Sequence, residues 1–322
     1  MKNRLLSLSV LLFGISTATG GFHLLAAQSV RSPLGSAQAE TQWRQDLSAW
    51  RAQRETEVSA PDGWLTLAGL DWLKPGINSV GAAEGSQIKL PAPAPAHLGL
   101  FTLSGTVVQL LSPAGGFPAE LTIDGQPARE GQIRIGGVDG AKPSTIVWHN
   151  LTLVVLERAD RYVVRLKDVN SPTRANFRGL HWFAPDPRLR VEALWIPYTP
   201  PHLDKIPTVL GSTLDLPSPG VAEFTLDGKI LRLEPVIEPG EKDTLFFILR
   251  DETSKTTTYQ AARFLHTGLP NHGLEEEGVL ILDFNRLENP PCAYTPYATC
   301  PLPPEQNRLA ISIEAGEQRY EH

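Results

Sequence analysis

The stretch DFNRLENPPCAYTPYATCPLPPEQNRLAISIEAGE, from Asp283 to Glu317, gathers the residues of this chain best suited to chemistry: carboxylates, carboxamides and both cysteines. Alternate residues of a strand share a face, so VLILDFN sets Val279, Ile281, Asp283 and Asn285 opposite Leu280, Leu282 and Phe284. In TTTYQAARFL the same alternation groups Tyr259, Ala261, Arg263 and Leu265. If these two strands pair, Arg263 faces Asp283 with Tyr259 and Asn285 beside it. An ionised Asp in a β interior is costly without a partner, and Arg263 is the candidate. Two readings follow, a structural ion pair closing the sheet and a pocket that uses the same groups on a ligand. Glu314 or Glu317, at the end of RLAISIEAGE, would make with Asp283 the two carboxylates that general acid-base chemistry needs. Exposed strand-end acids are the alternative reading of both.

Cys292 and Cys300 are the only cysteines, and Pro290-Pro291 before them cannot donate to a ladder. The chain must therefore cross there as a loop. A disulfide closing that loop is the direct inference in an oxidising compartment. Zinc needs about four ligands, and neither CxxC nor a close His pair is present. A thiol nucleophile would need a base such as His266 or His272 folded beside it. No GxSxG, HExxH, Walker or GxGxxG motif occurs, so no metal and no cofactor is expected.

The elements that must position these groups are β. GLFTLSGTVVQLL, ELTIDGQPA, STIVWHNLTLVVLER and RYVVRLKDV are short apolar runs broken by turns, with Asp-Gly at 124-125 and 139-140 suited to hairpins. This reads as an antiparallel β-sandwich-like region over 62–177. A Pro-rich stretch, FAPDPRLRVEALWIPYTPP, then punctuates the chain. A second β series over 178–322 follows, sandwich-like or barrel-like, with VAEFTLDGKILRLEPV as its clearest hairpin. Before both, residues 40–58 space Trp43, Leu47, Trp50 and Arg54 as one helical stripe, a short helix laid as a lid or strap on the β body. The fold class expected is all-β, mainly antiparallel, with that helix.

Residues 1–27 place Lys2 and Arg4 before the apolar run Leu5 to Ile15 and small residues after it, the plan of a secretory signal; an uncleaved N-terminal anchor is the rival. The first reading predicts a periplasmic or secreted protein. A net charge of −6 argues against nucleic acid or an anionic membrane surface as partner. At 322 residues, with 41% apolar residues, core size is not limiting. Oligomeric state has no signature here.

DETSKTTTYQAARFL and VLILDFNRLENPPCAYTPYATCPLPPEQNRLAISIEAGE resemble the C-terminal block of the DUF1684 family, and FRGLHWFAPDPRLRVEALWIPYTPP with PGVAEFTLDGKILRLEP is similar to its central region. The resemblance implies that Tyr259, Arg263, Asp283, Asn285, Asn289, Pro291, Cys292, Cys300, Pro301, Asn307 and Glu314 belong to one constellation. It implies no activity. Three functions stay open: binding of a small polar or carbohydrate-like ligand through Tyr259, Arg263, Asp283, Asn285, Asn289 and Asn307; hydrolysis by Asp283 with Glu314 or Glu317; and a structural envelope role. A rigid loop favours the first, because fixed donors and acceptors lose little entropy on binding.

Overall fold

The computed structural model describes residues 35–137, 142–158 and 160–321. The leader expected at 1–27 and the Asp139-Gly140 turn lie outside the described residues. What is described is mainly antiparallel sheet with one long helix, and no barrel closes.

The first β series forms two sheets around one core. A six-stranded antiparallel sheet runs in the order Leu67–Trp72, Arg161–Asp168, Leu151–Arg158, Ile146–Trp148, Thr122–Ile123, Gln126–Pro127. A five-stranded sheet is built on Gly76–Gly81, Gly99–Ser104 and Val107–Leu111. Val80, Phe101, Val108 and Leu110 from one sheet and Leu153, Val155, Val164 and Leu166 from the other are buried in a single cluster. That is the expected outcome of strands with one apolar face each. Asp124 and Gly125 both take positive φ, 51° and 77°, as a two-residue hairpin turn requires.

The second series centres on a four-stranded antiparallel sheet in the order Lys229–Leu233, Thr213–Leu226, Arg190–Pro207, Gly278–Asp283. The pair Leu245–Leu249 and Arg263–Thr267 packs with it around Trp195, Phe224, Phe247, Leu282 and Phe284. Gly220 is dictated by Trp195, because a Cβ there would stand 2.6 Å from the indole. A third cluster joins Leu67 of the first series to Ile206, Phe246, Phe264 and Cys300 of the second.

Three expectations are corrected. The Pro-rich stretch is mostly not punctuation: Arg190–Pro207 is an 18-residue strand, and Pro197, Pro200 and Pro201 fall where the register with Thr213–Leu226 shifts between Pro197 and His202. A ladder interruption is where a residue without N–H is tolerated. The strand expected across TTTYQAARFL starts only at Arg263, after the turn Glu252–Lys255 and an irregular segment that carries Tyr259. RLAISIEAGE is extended but pairs with its neighbours through isolated bridges, Arg250 to Arg308 and Trp182 to Glu317, instead of a ladder. Its alternation survives, with Ile311 and Ile313 buried and Ser312 and Glu314 exposed.

The helix runs Ala37–Ser59, and Ser36 caps it by accepting from the Ala39 N–H at 3.2 Å. Trp43, Leu47, Arg54 and Val58 are buried beneath it, so the stripe read at 40–58 is the packed face.

Candidate functional site

Arg263 and Asp283 do not meet. Gly278–Asp283 pairs with Arg190–Trp195, whereas Arg263–Thr267 pairs with Leu245–Leu249, in a register that sets Arg263 opposite Leu249. Asp251 follows that strand by two residues and takes the guanidinium at 2.8 Å. Both side chains are buried, and Arg263 also donates to the carbonyls of Ile313 and Ala315. Burial draws the Arg263 pKa down while Asp251 draws it back. The pair therefore ties the extended C-terminal segment to the sheet.

Asp283 is held instead by the helix. The Trp43 Nε1–H donates to its Oδ2 at 2.7 Å, and Asn285 donates to Oδ1 through both its backbone N–H and its Nδ2, at 3.2 and 3.0 Å. Arg286 lies 3.7 Å from Oδ2. Asn285 also brackets the backbone of Asp186, accepting from its N–H and donating to its carbonyl, both at 2.8 Å.

The remaining candidates serve separate junctions. Asn307 accepts from the Glu234 N–H and donates to the carbonyls of Glu234 and Ile248. Asn289 donates to the Gln318 carbonyl and its Oδ1 is buried without a partner. The Tyr259 hydroxyl donates to the Cys292 carbonyl at 3.1 Å. Cys292 and Cys300 form a disulfide with Cα atoms 6.2 Å apart, and its loop packs in the third cluster. Glu314 is exposed.

Glu317 belongs to a network that sequence reasoning left unassembled. Its Oε2 accepts from the Tyr294 hydroxyl at 2.7 Å and the Asn289 N–H at 2.8 Å, and its Oε1 accepts from Arg54 Nε at 3.0 Å. Arg54 also lies 3.2 Å from Glu288, and Glu288 lies 3.4 Å from the His266 ring, which is 3.4 Å from Glu238 on its other nitrogen. Burial works against charge on Arg54, but Glu288 and Glu317 more than offset it and hold the guanidinium firmly protonated. Burial pushes the Glu317 carboxyl up against the pull of Arg54. His266 is raised to about 9: burial opposes its charge, and the two flanking carboxylates outweigh burial. The partners of Asp283 and those of Glu317 have no member in common. The available signal was Arg54 itself, a charge within an apolar helical stripe, which demands a buried acid.

Above Asp283 the helix and sheet leave an open cleft of about 490 Å³. Gln42, Trp43 and Asp46 line it from the helix, Arg190, Ile281 and Asp283 from the sheet, and Arg286 with Leu265 to Gly268 from the sides. Arg190 lies directly across the ladder from Asp283 and makes no ion pair with it, because Asp283 is already occupied by Trp43 and Asn285. The cleft thus presents Arg190, Arg286 and a protonated His266 against Asp46 and Asp283. Of the six ligand-binding candidates only Asp283 reaches it.

The fold and site define an all-β protein with a helix strapped over a charged cleft. Residues 175–318 match the model of DUF1684, described as a protein of unknown function, and the chain belongs to that family. A solved structure of an uncharacterised Haloarcula marismortui protein is 32% identical, over 45% of this chain and 78% of that one, with a TM-score of 0.39. No curated protein matches.

Proposed function

We propose that this protein is exported and binds a small polar, carbohydrate-like molecule with an acidic group in the cleft beneath the N-terminal helix. The observation that carries this reading is the Arg190 guanidinium, without an ion-pair partner among the described residues, beside a carboxylate already fixed by Trp43 and Asn285. A preset acceptor next to an available donor fork can recognise a sugar acid with little ordering cost. Trp43 supplies position and not a stacking platform, since it is 5% exposed and its Nε1–H is committed to Asp283. Export is supported by the leader-like N-terminus and the Cys292–Cys300 bridge. A hydrolase reading draws no support from geometry, with Glu314 exposed and Glu317 committed to Arg54 and Tyr294.

The test is native mass spectrometry of the protein expressed with its own leader, wild type beside Arg190→Gln and Asp283→Asn. The expected result is a co-purifying mass in wild type that both folded variants lose. Retention of the same mass by both variants would move the ligand elsewhere, and no adduct at any concentration of added glucuronate would sink the reading.

A further inference from the structure

The floor of the cleft continues beyond the helix. Val191, Ala193 and Trp195 of the strand Arg190–Pro207, with Leu280 and Leu282 of the strand Gly278–Asp283, are buried in the core of the second β series. Alternation therefore puts Arg190, Glu192 and Leu194 on the outer face, where the ladder sets them opposite Asp283, Ile281 and Val279 in that order. The helix covers the Asp283 end, through Trp43, and there Arg190, Ile281 and Asp283 line the cleft. At the far end Leu194 and Val279 face each other across the ladder, 45% and 41% exposed. Leu269, 37% exposed, follows Gly268 of the cleft wall, and two residues on the Asn271 N–H donates to the Val279 carbonyl at 3.0 Å.

Single exposed apolar side chains are ordinary on a protein surface, but this strip is contiguous with a charged cleft. It also has definite limits. On its other side Leu194 pairs with Glu223, which holds Arg232 at 2.7 Å, and Glu192 stands opposite Ile281. From Asp283 to Val279 the strand advances four residues, about 14 Å at the rise of an extended chain. That length exceeds one sugar ring, and its far half is aliphatic, with no side-chain donor or acceptor on Leu194 or Val279 to meet the hydroxyls of a second ring.

We propose that the cleft takes an amphipathic acid: a sugar acid whose carboxylate meets Arg190 and whose apolar substituent lies along Ile281, Val279, Leu194 and Leu269. This assignment rests on the cleft being the site of a sugar acid, and it narrows the class of that ligand. Glu192 and Glu223 flank the path and repel a second anionic group, so the ligand's charge is confined to the Arg190 end. Hydroxyls laid on Leu194 and Val279 would lose water without gaining a partner. An aryl or alkyl group there instead removes apolar surface from water on both sides of the contact.

The experiment is isothermal titration of glucuronate and of phenyl glucuronide into the whole chain. Wild type is compared with Arg190→Gln, with the double variant Leu194→Ser, Val279→Ser, and with Ile77→Ser, whose exposed side chain lies in the first β series. Wild type and Ile77→Ser should bind phenyl glucuronide roughly tenfold more tightly than glucuronate, as burial of one small apolar group predicts. The double variant should bring that ratio close to one, and Arg190→Gln should weaken both probes. A ratio near one in wild type, or a tenfold ratio that the double variant keeps, overturns the proposal and leaves the cleft as a site for the bare sugar acid. Binding of neither probe to wild type sinks the cleft reading and this one with it. Phenyl glucuronide bound equally well by Arg190→Gln would detach the strip from the acid site and overturn the proposal as well. Sedimentation of the same proteins reads the rival occupant: a wild-type dimer that the double variant dissociates, with the ratio unchanged, would assign the strip to a second copy of the chain.

Discussion

Side chains whose charge or hydrogen bond is met inside the fold set the sharpest expectations. Asp251→Ala leaves the Arg263 guanidinium buried and unpaired, which should cost about 3 to 5 kcal/mol in urea unfolding. Asp251→Ala with Arg263→Met should recover most of that loss, since the penalty belongs to the stranded charge and not to the pair. Trp43→Phe keeps the apolar bulk but removes the donor to Asp283 Oδ2. It should cost about 1 to 3 kcal/mol, because a buried acceptor loses its partner. A loss far below that, with the cleft unchanged, would mean that the indole merely packs.

At the scale of elements, hairpins and faces were legible because they depend on local alternation. Asp227 and Gly228 take φ of 51° and 73° at the turn where their sequence suggested it, and Leu280 and Leu282 are buried while Val279 is exposed. Partnering between strands was not legible. Nothing near Arg263 says that Leu245–Leu249 intervenes, so Asp251 went unseen and Asp283 was paired with the wrong cation. The helix could be read as a strap, but its meaning came from three dimensions: Trp43 reaches Asp283 at one end and Arg54 reaches Glu317 at the other. Leu47→Ala, at a fully buried position between these two anchors, should cost about 2 to 5 kcal/mol and speed amide exchange across Ala37–Ser59. The disulfide loop is the second strap. Reducing Cys292–Cys300, with its separation of 8 residues, should lower stability by about 2 to 3 kcal/mol, measured as a shift in urea midpoint with and without reductant.

For the whole molecule, pH is the variable through which the network around Arg54 shows itself. Glu238, His266, Glu288, Arg54 and Glu317 join the second β series to the helix in one alternating line of charge. His266 sits between Glu238 and Glu288 in that line, and its folded pKa of about 9 lies above the ordinary value of 6.5. The folded state therefore holds the proton more tightly than the unfolded chain does. The resulting stabilisation is complete below pH 6.5 and disappears as pH rises through 9. The ring is 42% exposed, so water screens the pairs and the decline should stay near 1 kcal/mol or below. A protein with net charge −6 also gains self-repulsion as it becomes more negative, in the same direction. His266→Gln separates the two, because it removes the titrating group and leaves the general charge. Urea unfolding at pH 6, 7.5 and 9.5 should show wild type losing more stability over this window than the variant, which keeps only the decline due to overall charge. Parallel curves would assign the decline to overall charge and remove His266 from the line that joins sheet to helix.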